Sequence, residues 1–266
     1  MQGTQMLQTA VLGTVPSTWS IVGTRKFSSA CSADILWHDA GGDLAIWFMN
    51  GLQVSSSASL GNVPPNWSVF GTGDLNGDGI GDLLWRDSSS GTVAVWFMNA
   101  SQVSSTTTLG VVPASWKIVG DNNRGNIFWQ DTSGNLAVWA VVNGQMLQSV
   151  SLGNVPSNWM IAGLGDFNGD GYTDILWRDM NSGTVAIWFM NDLTVLSTAS
   201  VGVVPIASTW NIVETGDYNG DGMSDILWVD GSGNVAMWFM SGATVGSSGN
   251  LGNVGTNWSV QSVNAD

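Results

Sequence analysis

Three stretches of the chain share one oxygen-rich spacing, Asp-x-Asn-Gly-Asp-Gly-x-x-Asp. It places Asp74, Asn76, Asp78 and Asp82, then Asp166, Asn168, Asp170 and Asp174, then Asp217, Asn219, Asp221 and Asp225 at positions 1, 3, 5 and 9. Oxygens at those positions, with a backbone carbonyl at position 7, suit a hard cation such as Ca²⁺, which takes roughly six to eight oxygen ligands. Glycine at position 6 permits the bend. Mg²⁺ prefers a tighter octahedron with retained water, and zinc or copper would want His or Cys. Asp, Asn and Gly are also good turn formers, which accounts for any one of these residues but not for three identical spacings. Four clustered oxygens repel one another without a counter-ion, so the expectation is three Ca²⁺ sites. Two related regions depart from the pattern, RKFSSAC at 25–31 and DNNRGN at 121–126, and neither is expected to bind Ca²⁺ well.

The balance of 20 acidic against 6 basic residues, a formal net charge of −14, excludes a nucleic-acid or anionic-membrane surface, because phosphate binding needs clustered Lys and Arg. Nine of the acids lie in the three loops, so bound divalent ions would offset much of that charge. Cys31 is the sole cysteine, which rules out a disulfide framework and a thiolate cluster. The start of the chain lacks the basic and apolar regions of a leader, and no apolar run is long enough to span a bilayer.

The elements that must hold these loops recur with them. The closing phrase of each unit contains Trp47, Trp96, Trp139, Trp188 or Trp238, as in IWFMN around Trp188, with steps of 49, 43, 49 and 50 residues. Joints of the VPxxW kind precede each unit: VPSTW at 15–19, VPPNW at 63–67, VPASW at 112–116, VPSNW at 155–159 and VPIASTW at 204–210, with VGTNW at 254–258 after the last. A period this regular means one supersecondary unit stacked to bury faces it cannot bury alone.

Each unit reads as four strands. One follows the joint Trp, a second is DILW or DLLW, a third is TVAIWFM, and a fourth is Ser-rich. Asp-Ser-Gly turns such as 87–91 join the second to the third. The third strand is apolar on both faces and must be covered on both sides, whereas the polar fourth suits an edge open to water. The reading is therefore an all-β, single-domain β-propeller of four-stranded antiparallel blades, five in number, with a repeat of about 49 residues. Units fall at approximately 14–62, 63–111, 112–154, 155–203 and 204–253. Segments 5–13 and 258–263 are read as a fourth-type and a first-type strand at ring closure.

Catalytic parts are scarce. His38 is the only histidine, Cys31 the only thiol and Glu214 the only glutamate, so neither a His-based triad in each unit nor a His-rich metal site can be built. His38 reads as a surface residue. Binding is better supplied, because indole faces stack on sugar C–H faces while Asp, Asn and Arg bond the hydroxyls, and there are 16 Trp. The strand-two and strand-three Trp read as core. Joint Trp residues beside the strand-two turns are the candidate ligand contacts: Trp67, Arg86, Asp87, Trp159, Arg178, Asp179 and Trp210.

The loops followed by ILWRD resemble the FG-GAP or VCBS-type repeats of bacterial extracellular proteins, integrin α-subunit propellers and a fungal propeller lectin. That resemblance implies calcium on loops at one end of the propeller and a secreted or cell-surface location. The expected function is a calcium-stabilised, carbohydrate-binding propeller that recognises glycans, a polysaccharide or a cell-surface glycoprotein multivalently without catalysis. An extracellular protein-binding adhesion or accessory propeller is the alternative, with a polysaccharide lyase or hydrolase behind it.

Overall fold

The computed structural model describes residues 8–28, 32–122 and 125–261. It is all-β, with five four-stranded antiparallel sheets as the blades of a five-bladed β-propeller. Blade one comprises β1 (Trp19–Arg25), β2 (Asp34–Asp39), β3 (Asp43–Asn50) and β4 (Gln53–Asn62). Blade two holds β5 (Trp67–Gly71), β6 (Leu83–Asp87), β7 (Thr92–Asn99) and β8 (Gln102–Val111). Blade three holds β9 (Trp116–Asp121), β10 (Asn126–Asp131), β11 (Asn135–Val142) and β12 (Gln145–Asn154). Blade four holds β13 (Trp159–Gly165), β14 (Asp174–Asp179), β15 (Thr184–Asn191) and β16 (Thr194–Val203). Blade five holds β17 (Asn211–Gly216), β18 (Asp225–Val229), β19 (Asn234–Ser241) and β20 (Thr244–Asn253). The chain divides into two compact units, one of Thr9–Thr132 with Ala137–Ser151 and the other of Ser133–Leu136 with the chain from Leu152 onward.

In the first unit, Leu84, Val93 and Val95 of blade two share a core with Ile118, Ile127 and Trp129 of blade three. In the second, Leu176, Val185 and Ile187 of blade four pack with Ile226 and Trp228 of blade five. Each blade thus uses its doubly apolar middle strands to meet a neighbour, while the fourth strand keeps an exposed polar face, as in β16. Where first strands approach, glycine is required. A Cβ on Gly71 would lie 2.3 Å from Asp121 Oδ1, and one on Gly163 would lie 2.6 Å from Thr215 Cγ2.

Two features depart from simple alternation. The β15/β16 register shifts at Val185/Ala186 and again at Phe189/Met190, so Met190 turns inward and is fully buried. These bulges add a residue to one strand and sharpen its twist. Same-position bulges recur in blades one, two and five. The terminal segments also differ from expectation. Residues 8–13 and 258–261 form no strand, and the rest of 5–13 and 258–263 lies outside the described residues. The sequence QMLQSVSLG is a strand within β12, where β11 supplies the ladder, whereas the described part of the similar segment, 8–13, carries no ladder.

Candidate functional site

The acidic loops join first and second strands and close on their own backbone. Asp74 Oδ1 accepts the N–H groups of Gly77 and Asp78 at 2.7 and 3.1 Å, and its Oδ2 accepts Gly79 N–H at 2.8 Å. Asn76 Oδ1 accepts Asp78 N–H at 2.9 Å, and Asp78 Oδ1 accepts Ile80 N–H at 2.8 Å. The pattern repeats bond for bond at Asp166, Asn168 and Asp170 and at Asp217, Asn219 and Asp221. Neighbouring loops are tied as well, since Ser224 N–H donates to Asp166 O at 2.6 Å.

Position 9 has a second task that its spacing alone does not disclose. Asp82, Asp174 and Asp225 are wholly buried, and each carboxylate clasps two chain segments. One oxygen accepts the N–H of the loop's second residue, Leu75, Phe167 or Tyr218. The other accepts an N–H from strand three, at Met98, Met190 or Met240. Asp34 does the same in blade one, bonding Phe27 N–H and Met49 N–H at 3.1 and 2.8 Å. It was detectable in the sequence as the Asp of ADILW, matching TDILW at 173–177.

Burial pushes Asp82 up to about 6, Asp174 to about 7 and Asp225 to about 6; their two N–H bonds oppose this, and the neighbouring loop aspartates add to it. The position-9 carboxylate of each loop therefore lies in the field of the two aspartates ahead of it. A hard cation fits this donor set in kind, because the engaged carboxylate oxygens keep lone pairs and the nearby negative charge favours it. Among the described residues, however, no three His, Cys, Asp or Glu side chains are gathered as metal ligands.

At the opposite end of each blade lie the joints and the turns between second and third strands. Asn66 Nδ2 donates to Asp87 Oδ1 at 2.7 Å, and Asn158 Nδ2 to Asp179 Oδ1 at 2.8 Å. Asp87 also receives the hydroxyls of Ser89 and Ser90, and Asp179 that of Ser182. Hydrogen bonds to the ionised form, led by Asn158, hold Asp179 down at about 2, and Asp87, led by Ser89, lies lower still.

Arg86 and Arg178, read in the sequence as sugar contacts, are buried staples, with 8% and 4% of their surface exposed. Arg86 Nη1 donates to Trp116 O, and Nη2 to Pro113 O at 2.9 Å and Val112 O at 3.3 Å. Its guanidinium carbon lies 5.6 Å from the Trp129 ring centroid. Arg178 repeats the grip on Trp210 O at 2.5 Å and Val204 O at 3.4 Å, with Trp228 at 5.1 Å. A joint Trp does meet its neighbour's Arg, but through its carbonyl. His38, expected at the surface, is half-buried and edge-on to Trp85 at 6.4 Å.

Trp67, Trp159 and Trp210 are each half-buried. Trp67 and Trp210 pack against cores of their own blade pairs. Trp159 instead lines an open cleft of about 370 Å³ with Val155, Pro156, Trp177, Ala186 and Trp188. Asn154, Thr198 and Ser200, all exposed, complete it together with Ala199. The sequence reading did not single out this cleft, since Trp177 and Trp188 look like core from their strands.

The FG-GAP-like repeat family matches residues 166–228, the segment spanning two acidic loops and the strands between them. Among solved structures the chain is similar to part of the Photorhabdus luminescens Tc holotoxin pore, at 14% identity and a TM-score of 0.58, over 89% of this chain and 12% of that one. It is also similar to part of Chaetomium thermophilum Raptor, at 10% identity and a TM-score of 0.52, over 86% of this chain and 20% of that one. These likenesses are of fold, and the chain spans a small fraction of either length. A comparison with curated proteins finds no match. The chain is thus a β-propeller carrying an FG-GAP-like repeat. No helix among the described residues is long and apolar enough to cross a membrane.

Proposed function

We propose that the protein is a non-catalytic, extracellular recognition propeller that binds carbohydrate and is stiffened by calcium at its three acidic loops. The observation that carries the ligand reading is the cleft in blade four. It presents Trp159 and Trp188 with the exposed hydroxyl groups of Thr198 and Ser200, beside an Asn154 whose Nδ2 is engaged with Ser133 O and Asn135 Oδ1, the pairing of apolar face and hydrogen-bonding edge that sugars require. Arg86, Asp87, Arg178 and Asp179 are engaged within the fold, and this reading assigns them a structural part.

Calcium, when bound, would neutralise the loops. Asp74, Asn76 and Asp78, with their counterparts in blades four and five, would hold it, and the position-9 carboxylates would keep the loop tied to strand three. A glycan array read with calcium and with chelator tests both parts. Binding of a sugar class in calcium, lost in Trp159→Ala, is the expected outcome, and no sugar bound under either condition ends the carbohydrate reading.

A further inference from the structure

Between blades two and three lies a second pocket, of about 210 Å³, lined by Ser68, Phe70, Arg86, Ser88, Trp116 and Lys117. All of these residues belong to the unit that contains Thr9–Thr132. Two of them break the repeat. In every first strand the ladder to the second strand skips one residue, which is Val22, Val119, Ala162 or Val213 in four blades and Phe70 in blade two. Those four are half-buried, whereas Phe70 is 41% exposed. The residue after the joint Trp is Ser20, Ser68, Met160 or Asn211 elsewhere and Lys117 in blade three. Both departures meet in this one pocket. At the matching positions around Arg178 stand Met160, Ala162, Met180 and Asn211, with no second cation among them.

The pocket is locally cationic in a strongly acidic chain. Only 6 residues of the 266 are Lys or Arg, yet two of them line it and no acid does. Asp87, next to Arg86, has Oδ1 bonded by Asn66 and Ser89 and Oδ2 bonded by Ser90. Arg86 gives both Nη groups to joint carbonyls, and its Nε–H has no partner among the described residues. We propose that this pocket is a subsite for an acidic sugar, a uronate whose ring rests against Phe70 and Trp116 while Lys117, backed by the Arg86 guanidinium, holds its carboxylate. Charge-assisted bonds of this kind are about twice as strong as neutral ones. Ser68 is exposed, and Ser88 Oγ, which donates to Asn66 O at 3.1 Å, keeps lone pairs for a sugar hydroxyl. The volume lies below the roughly 300–1,000 Å³ of sites for drug-sized ligands, a size for one sugar unit of a chain. This inference rests on the carbohydrate reading and adds to it a second site and a class of sugar.

The test is titration of the whole chain, in calcium, with the methyl glycosides of glucuronate and galacturonate, followed by its NMR spectrum. Methyl glucoside, methyl galactoside and acetate serve as controls. A uronate should bind in the millimolar range, about tenfold more tightly than its neutral counterpart or than acetate, and added salt should narrow that difference. Lys117→Gln, at an exposed position, should remove most of the preference for the acid while leaving the melting temperature and the neutral sugars unchanged. Phe70→Val, which restores the kind of residue other blades carry, should weaken acidic and neutral sugars alike. Trp159→Ala, in the blade-four cleft, should leave uronate binding intact. Neither uronate exceeding its neutral counterpart, acetate binding as tightly as the uronates, or a preference that survives Lys117→Gln overturns the inference. Neutral glycans bound through Trp159 with no preference for uronates would remove this subsite and leave the carbohydrate reading in place.

Discussion

Blades one and four hold the same buried carboxylate in two different settings. Asp34 and Asp174 are both fully buried, and each joins the N–H of a buried Phe, Phe27 or Phe167, to the N–H of a strand-three Met. Only blade four carries the DxNGDG sequence ahead of it. The clasp is therefore part of the blade itself, and the acidic loop is an addition to a clasp that stands without it. Of the three aspartates in each loop, the last belongs to the scaffold and the first two are available to a cation.

Removing the clasp should be the most damaging change. Asp174→Ala and Asp34→Ala each strip two buried N–H groups of their acceptor, at about 1–3 kcal/mol per group. Urea unfolding in chelator should show similar losses for both, roughly 2–6 kcal/mol. A much larger loss at Asp174 would break the equivalence of the two blades.

Asp170→Ala sharpens the comparison from the other side. Asp170 is exposed, so stability in chelator should barely move. In calcium at a hundred times its Kd, the variant should forgo about 2.7 kcal/mol of linked stabilisation, seen as a melting temperature several degrees below the parent. An equal loss in both media would mean that the carboxylate acts locally, without metal.

Arg178→Met gives a measure that involves neither clasp nor cation. It removes the donors from two joint carbonyls and the cation over Trp228, with an expected loss of about 2 kcal/mol in thermal or urea unfolding. Arg178→Lys should recover only part of it, since an ammonium cannot fork across separated carbonyls.

The smallest effect expected is with pH. Burial keeps Asp174 protonated in the fold up to about 7, against 3.8 ordinarily. Between those values the folded chain holds more protons than the unfolded one, so this contribution is full on the acid side and is lost as pH rises through the window. In chelator, lowering pH from about 7 toward 5 should raise the melting temperature slightly. Calcium favours the ionised carboxylates and should reverse the slope.

Much of this was legible in the sequence because the repeat is made of local signals. The joints, turns and strands fall where the VPxxW, Asp-Ser-Gly and DILW phrases place them. The bulges were not legible, because they arise in pairing rather than in the composition of one strand. Arg86 and Arg178 misled because Arg beside an Asp-Ser turn suggests solvent, yet each follows a fully apolar run and is drawn over the next blade's indole. Asp34 was passed over because position 9 was judged as a metal ligand, and blade one has no metal loop. Residues 8–13 show the opposite limit: a strand-like sequence that carries no ladder.

The paired indoles of the second and third strands have a spectroscopic consequence. With centroids 4.8–5.1 Å apart and tilts of 47–56°, one pair in every blade, their transition dipoles are close enough to couple. The molecule thus carries five built-in chromophore dimers, whose circular dichroism couplets would report blade integrity without a label and would fade as individual blades lost their packing.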